Sequence, residues 1–205
     1  ELSSFQLWDL EMSPHIAVVL HIEADHLDVH ADFAEYVEAK AQIAANQITT
    51  DRVVYNAHNQ WATHIAERSV GQRLPYQSVR GAHVQGDFFM YGEQELCSTD
   101  ELLLPGRHNQ DNACAAITAV WPWVQDGATI ARGLHGFDGL PHRLKWVRDV
   151  SGVKYYDDSI ATTPGSAIAA INSFTEPKVL ILGGSSKGAD FTELAETVMA
   201  GKVKA

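Results

Sequence analysis

The pattern of apolar and polar positions predicts three successive parts: an α/β part, a β-rich part and a second α/β part. Residues 16–20 form a short, β-branched apolar run that ends at polar residues, which is typical of a buried parallel strand. A second run of this kind covers residues 52–56, and a helical pattern follows each run. From residue 76 to residue 104, short apolar groups alternate with glycines, which predicts a meander of antiparallel strands.

The helix after the first strand contains a lysine at a position where its pattern requires an apolar residue. Asp32 is the predicted N-cap, and Glu35 follows it at capping-box spacing. Lys40 comes four residues after Tyr36, so helical spacing places it on the apolar stripe. Either this lysine snorkels to the rim, or it is a functional group that faces the acidic, histidine-rich residues 23–30. The second interpretation fits the place where open α/β sheets bind ligands.

A glycine- and proline-rich stretch, residues 136–143, is the predicted domain boundary. We expect one domain over residues 1–138 and the beginning of another over residues 139–205. In the second, an apolar strand at 178–182 leads into a glycine-rich loop that contains Lys187. The predicted fold class is α/β: a parallel sheet flanked by helices with a small antiparallel meander, followed by the start of a Rossmann-like α/β domain.

Composition narrows the classes of partner and compartment. The net charge of -11 and the pI near 5.2 argue against nonspecific binding to nucleic acid or to anionic membranes. Cys97 and Cys114 are too few for a disulfide scaffold and suit a reducing cytoplasm. No apolar run approaches the roughly 20 residues needed for membrane insertion. Because the chain opens at Glu1 without a methionine, we expect it to be a piece of a longer protein.

Five segments, taken in order, form a specific combination. They are Glu1-Leu2-Ser3-Ser4-Phe5-Gln6-Leu7; Asp25-His26-Leu27-Asp28 with Tyr36 and Ala39-Lys40; Gly106-Arg107-His108-Asn109 with Asn112-Ala113; Gly139-Leu140-Pro141-His142-Arg143; and Asp158-Ser159-Ile160-Ala161-Thr162 with residues 183–191. Together they resemble the Mur ligases, ATP-dependent amide-bond-forming enzymes of peptidoglycan assembly. The resemblance covers nearly the whole chain. It implies addition of D-glutamate to UDP-N-acetylmuramoyl-L-alanine through an acyl phosphate, with ATP and Mg²⁺.

The resemblance also implies a role for each matching residue. Glu1, His26 and Lys40 would form the metal site, which is expected to hold two Mg²⁺ ions, and His26 and Lys40 would be catalytic. Lys40 matches the lysine that this family carries as a carbamate, an anion that supports the second metal ion. The remaining matches are nucleotide contacts at Asn109, Asn112, Arg143 and Asp158, muramoyl-substrate contacts at Ser3 and Gln6, and D-glutamate contacts at Thr162 and Lys187.

The chain departs from the family pattern in ways that affect the expected activity. Ile160 stands where many of these ligases have a lysine, so one possible cation is missing. The family's phosphate-binding loop is expected before Glu1, so we expect this chain by itself to bind ATP weakly and to lack ligase activity. Two alternatives stay open: a related ATP-dependent ligase of the folylpolyglutamate synthase type, and a non-catalytic nucleotide-binding module.

Overall fold

A parallel three-stranded sheet forms the centre of the first part of the molecule. The structure, a computed structural model, describes residues 1–24, 29–184 and 189–204. Strands β1 (Ile16–Val19), β2 (Arg52–Asn56) and β3 (Gln72–Tyr76) lie in the order β1-β2-β3. Both pairings are parallel, so the carboxyl ends of the strands lie at one edge of the sheet.

Three helices accompany this sheet: α1 (Ser4–Leu7), α2 (Phe33–Ala45) and α3 (Gln60–Glu67). The predicted cap of α2 is confirmed, because the Asp32 carboxylate accepts a hydrogen bond from the Glu35 N–H at 2.9 Å. Buried alanines on the inner face of α2 let it pack closely against α1 and α3. The buried core between these elements consists of Ala17, Val19, Ile22, Tyr36, Val37, Ala41, Ala44, Val53, Ala62, Ile65 and Ala66.

The predicted meander is confirmed as strands β4 (Ala82–Gln85), β5 (Phe88–Tyr91) and β6 (Gln94–Ser98). A 3₁₀ turn follows, and then helices α4 (Arg107–Val120) and α5 (Gly127–His135). A second core joins the meander to α4. Its buried members are Val54, Tyr76, Ala82, Phe89, Leu96, Ala113, Cys114, Ala115, Ile117 and Ile130.

The last part is a second, smaller α/β unit. Strands β7 (Lys145–Val150) and β8 (Val153–Asp157) form an antiparallel hairpin. The remaining elements are α6 (Pro164–Asn172), β9 (Lys178–Val179), α7 (Thr192–Ala200) and β10 (Val203–Lys204), with β9 parallel to β10. The predicted fold class is therefore confirmed, as a mixed α/β structure with a parallel sheet, a meander and further small sheets.

Two element boundaries differ from the prediction. The strand predicted over 178–182 is shorter in the structure: β9 ends at Val179, and it pairs with β10 at Lys178 and Val179. Helix α4 begins at Arg107, whereas the apolar positions of the sequence predict a helix over residues 110–120, for which Asn109 is a candidate cap. Gly106 adopts a φ of +93°, and its carbonyl accepts bonds from the N–H groups of Asn109 and Gln110. The turn at Gly106 thus starts the helix early, and Asn109 lies inside the first turn instead of capping it.

Within the ranges that the structure describes, no helix combines the length and the apolar character that crossing a membrane requires.

Candidate active site

A pocket of about 390 Å³ lies between the N-terminal segment and helix α2. Four residues predicted for the site line it: Glu1, Ser3, Gln6 and Lys40. The other lining residues are Leu2, Ser4 and Tyr36. The structure therefore brings together a predicted metal ligand, the predicted carbamate lysine and both predicted muramoyl-substrate contacts. Another pocket, of about 540 Å³, is lined by Tyr55, Gly71, Gln72, Arg73, Leu74 and Arg80, none of which was predicted as a site residue.

Lys40 lies half-buried at the edge of the apolar stripe of α2. Its Nζ atom is 5.0 Å from the centroid of the Tyr36 ring, one helical turn earlier. Tyr36 is itself only 6% exposed, so the ring face toward Lys40 is shielded from water. A cation over a shielded ring face is attracted by the ring quadrupole. Lys40 therefore lines the pocket from α2, with its Nζ atom over the buried ring of Tyr36.

Ser3 and Gln6 form a capping box at the start of α1. The Gln6 Oε1 atom accepts bonds from the Ser3 N–H at 2.8 Å and from the Ser3 hydroxyl at 3.1 Å. The Gln6 N–H in turn donates to Ser3 Oγ at 3.3 Å. These two side chains therefore fix the turn that leads from Glu1 into α1. The sequence interpretation gave them only a role in substrate binding.

Glu1 is close to a residue from the second α/β unit. Its Oε1 atom lies 3.6 Å from Nη2 of Arg143, and both side chains are largely exposed. An exposed ion pair of this kind contributes little to stability, but it brings Arg143, a predicted nucleotide contact, to the rim of the pocket.

The residues at the pocket fit a magnesium site only if Lys40 carries a carbamate. Glu1 supplies the carboxylate oxygens that Mg²⁺ prefers, whereas a lysine ammonium would repel the ion. In the described ranges, no group of three or more His, Cys, Asp or Glu side chains is placed to hold a metal ion. His26, the other predicted ligand, and Lys187, a predicted D-glutamate contact, lie outside the described residues.

Two of the predicted nucleotide contacts, Asn109 and Asn112, lie in the first two turns of α4. The Asn109 amide donates to the Pro105 carbonyl at 2.7 Å, and Asn112 is exposed one turn later. Asp158 is fixed by a bond from the Leu144 N–H to its carboxylate at 2.8 Å. Burial lowers the pKa of His108, and the negative charge of Asp158 partly opposes that shift. Asp158 is thus close enough to the start of α4 to act on His108 electrostatically.

One of the two predicted D-glutamate contacts, Thr162, lies among the described residues. Thr162 is exposed just before α6, and the next residue, Thr163, caps that helix. The Thr163 hydroxyl donates to Oε1 of Glu23 at 3.0 Å. A Cβ atom on Gly165 would lie 2.3 Å from Oε2 of Glu23, so a larger residue would require this exposed carboxylate to move away from the start of α6. This contact, which sequence reasoning missed, joins the exit of β1 to the second α/β unit.

Asp111 is a second residue that sequence reasoning missed. Burial raises the pKa of its carboxyl, while Arg107, His108 and His58 oppose that rise. The Gln77 amide donates a hydrogen bond to Asp111 Oδ1, and Arg107 Nε lies 3.6 Å from the same atom. A partly buried carboxylate with an incompletely compensated charge therefore lies between Asn109 and Asn112.

We expect Asp111→Asn to stabilise the chain at neutral pH. Burial holds the folded-state pKa of Asp111 above its ordinary value of 3.8. The protonated carboxyl therefore makes its full contribution to stability below pH 3.8, and this contribution is lost as the pH rises through the folded-state pKa. Asparagine keeps the acceptor for Gln77 and removes the charge. Thermal unfolding at pH 7 should show a gain of up to about 1 kcal/mol, a small value because solvent screens this partly exposed group.

Asp126→Asn is the matched control for that measurement. Hydrogen bonds from Thr129 lower the pKa of Asp126, which caps α5. The ionised Asp126 carboxylate contributes to stability above pH 3.8, and this contribution is lost as the pH falls through its folded-state pKa. Asp126→Asn should therefore be less stable than the wild type at pH 7. If both variants shift stability in the same direction, burial of Asp111 does not control its ionisation.

Comparison with known proteins now identifies the family. The model of the Mur ligase middle domain matches residues 1–120. The chain therefore belongs to the Mur ligase family. A UDP-N-acetylmuramoylalanine–D-glutamate ligase from Pelotomaculum thermopropionicum is 40% identical over 208 residues, which cover 97% of this chain and 46% of the relative. The enzyme of the same name from Clostridium botulinum (strain 657 / Type Ba4) is 36% identical over 200 residues, or 96% of this chain and 43% of the relative.

Solved structures agree with this at the level of the fold. MurF from Acinetobacter baumannii has a TM-score of 0.61 at 18% identity, covering 82% of this chain and 39% of that one. Folylpolyglutamate synthetase from Lactobacillus casei has a TM-score of 0.59 at 18% identity, covering 93% of this chain and 49% of that one. The chain spans less than half the length of the curated relatives it matches.

Proposed function

We propose that the protein containing this chain is an ATP-dependent ligase that joins D-glutamate to UDP-N-acetylmuramoyl-L-alanine in peptidoglycan precursor synthesis. The observation that carries the proposal is the pocket lined by Glu1, Ser3, Gln6 and Lys40. The substrates are those named by relatives that are 36% and 40% identical to the chain. The free cysteines Cys97 and Cys114 accord with a cytoplasmic location.

Lys40 would act in this pocket as a carbamate. The ammonium first loses a proton to water, the neutral amine then attacks carbon dioxide to form an N–C bond, and the nitrogen loses a second proton to water. The product carries a negative charge in place of a positive one. The ring of Tyr36 packs against the lysine side chain, with its centroid 5.0 Å from Nζ. Glu1, His26 and the carbamate would then hold Mg²⁺, which neutralises phosphate charge during transfer.

The proposed reaction has two steps. A carboxylate oxygen of the muramoyl substrate takes the γ-phosphoryl group of ATP, which leaves ADP and an acyl phosphate. The neutral amine of D-glutamate then attacks the carbonyl carbon, the tetrahedral intermediate expels phosphate, and the nitrogen loses a proton. Positioning and charge neutralisation contribute most to such a transfer. Ser3 and Gln6 would orient the muramoyl substrate, since both line the pocket beside Lys40.

The nucleotide would bind at the first turn of α4. Asn109 and Asn112 offer amides for the base and ribose, Asp158 offers a carboxylate for the ribose, and Arg143 offers a cation for phosphate. Arg143 pairs with Glu1 in the structure, so phosphate binding would exchange one anionic partner for another.

A phosphate-release assay on the full-length protein tests this function. With ATP, Mg²⁺ and UDP-N-acetylmuramoyl-L-alanine, we expect phosphate release to depend on D-glutamate and not on L-glutamate. Release that depends on a folate and L-glutamate would favour the folylpolyglutamate synthase alternative. Nucleotide binding without any turnover would favour a non-catalytic module.

We expect Lys187→Ala to weaken the use of D-glutamate selectively. A lysine and the Thr162 hydroxyl are suitable partners for a dicarboxylate, and losing a charge-assisted bond costs about 1.5–3 kcal/mol. The KM for D-glutamate should therefore rise about ten- to a hundredfold, with little change for ATP. Lys178→Ala is the control, because Lys178 donates to the Gly201 carbonyl elsewhere in the same unit. Equal changes in both KM values would contradict the assigned role.

A further inference from the structure

The side chain of His30 is buried completely beside the pocket and has an incomplete set of hydrogen bonds. Its Nε2 atom lies 2.9 Å from the hydroxyl of Ser4, which is itself only 1% exposed. Among the described residues, its Nδ1 atom has no hydrogen-bond partner, and Oε2 of Glu35 lies 4.0 Å away. Buried polar groups are normally satisfied, so this position calls for a reason beyond packing.

The imidazole of His30 joins helix α1 to helix α2. It stacks on the ring of Trp8 at a centroid distance of 5.0 Å and on Phe5 at 5.7 Å. It also contacts the ring of Tyr36 edge-on, at a centroid distance of 5.4 Å. Tyr36 is the ring that lies below Lys40. The contacts thus run without interruption from α1 through His30 to the lysine.

Two chain segments that carry proposed metal ligands meet at this histidine. Glu1 lies three residues before Ser4, the direct partner of His30. Lys40 follows Tyr36, which His30 contacts, by one helical turn. Because Glu1 and Lys40 come from separate segments, something must hold those segments in a common geometry before a metal ion can bind.

We propose that His30 is a positioning residue that holds α1 against α2, so that Glu1 and Lys40 share one metal site. The inference rests on the proposed function. His30 touches neither substrate nor metal. It acts through the bond to Ser4 and through the stack with Trp8. A histidine that merely fills the core would affect stability without affecting the metal selectively.

Substitutions of His30 and Ser4 distinguish the effect of the His30–Ser4 hydrogen bond from the effect of ring packing on Trp8. His30→Phe keeps a ring that can stack on Trp8 and loses the nitrogen that faces Ser4. Ser4→Ala removes the same bond from its other end. Thr118→Val is the matched control, because Thr118 is fully buried and its hydroxyl accepts a bond from the Ala82 N–H at 2.9 Å in the second core.

In the full-length protein, we expect His30→Phe and Ser4→Ala each to raise the Mg²⁺ concentration for half-maximal phosphate release about three- to tenfold. The double variant should resemble each single variant, because both remove one bond. The KM for D-glutamate should not change. Thr118→Val should lower the melting temperature and leave the Mg²⁺ requirement as it is. A loss of stability without any change in the Mg²⁺ requirement of His30→Phe would overturn the proposal.

A readout independent of ligation separates this proposal from the proposed function. Binding of Mn²⁺, measured by electron paramagnetic resonance, and hydrogen exchange of the α1 amides are compared in wild type and His30→Phe. Weaker Mn²⁺ binding with faster α1 exchange supports the positioning role even if no D-glutamate-dependent activity is found. Unchanged Mn²⁺ binding and unchanged α1 exchange overturn it even if the protein is an active D-glutamate ligase.

Discussion

We expect Lys40→Ala to abolish ligation in the full-length protein. Lys40 shares its pocket with Glu1, and a carbamate there would provide the anion that the metal site requires. Removing a preorganised group of this kind lowers kcat by about 100- to 1,000-fold, which leaves little measurable activity. Added acetate or formate should restore part of the rate, because a small carboxylate fits the space left by the lysine and replaces its charge. Full activity of the variant would contradict the carbamate hypothesis.

The control for this experiment lies on the same helix. Glu38 is exposed and pairs with Arg68 at 2.8 Å and with His64 at 3.2 Å, away from the pocket. Glu38→Ala should therefore keep its activity and should not respond to acetate.

Lys40→Arg tests whether a positive charge alone is sufficient at this position, since arginine keeps the cation and cannot form the carbamate. We expect it to be as inactive as Lys40→Ala.

A direct observation of the carbamate completes the test. In the presence of ¹³C-bicarbonate, the wild-type protein should show a carbamate carbon resonance that Lys40→Ala and Lys40→Arg lack. If the resonance is absent from an active wild-type protein, Lys40 acts as an amine or ammonium, and rescue by carboxylates should then fail as well.

Local patterns predicted several elements of the first part of the molecule, including the helix that carries Lys40. The strand predicted at 52–56 has the bounds of β2, and the cap at Asp32 forms as expected. The helical spacing that put Lys40 on the apolar stripe agrees with its half-buried position above Tyr36. Each of these features depends on residues within about one or two helical turns or one strand, which is why a single segment contains enough information to predict it.

Contacts between distant segments could not be predicted in the same way. The bond from Thr163 to Glu23 joins residues 140 positions apart, and no local pattern links them. The pairing of His30 with Ser4 depends on how α1 packs on α2, although the cluster of histidines and carboxylates at residues 23–30 was apparent. The resemblance to a family assigns roles to matching motifs, and it is silent about residues such as His30 that act between motifs.

The early start of α4 depends on Gly106, and we expect Gly106→Ala to have the largest effect on stability among single-methyl additions near the site. Gly106 has φ +93° and ψ 150°, a region that is nearly restricted to glycine. Occupying it with an L-residue costs about 1–3 kcal/mol. A Cβ atom would also lie 2.1 Å from Ser173 Oγ and 2.9 Å from the His108 ring. Both neighbours would have to move.

Urea unfolding of the 205-residue chain should show that Gly106→Ala lowers the free energy of unfolding by about 2–4 kcal/mol. Gly86→Ala is the control: Gly86 also has a positive φ, +58°, but an added Cβ would meet nothing within 4 Å. It should lose only about 1–2 kcal/mol, the cost of the left-handed conformation. The double variant Gly106→Ala/Ser173→Ala should recover part of the loss, because it removes the closer of the two collisions.

The same substitution tests the link between the fold and nucleotide binding. Gly106 sets the direction of the first turn of α4, and the Asn109 amide is tied back to the Pro105 carbonyl just before that glycine. A displaced turn should therefore raise the KM for ATP of the full-length protein more than the KM for D-glutamate. If Gly106→Ala costs no more stability than Gly86→Ala, the close approach of Ser173 does not constrain Gly106. If the KM for ATP also stays unchanged, the first turn of α4 does not hold the nucleotide.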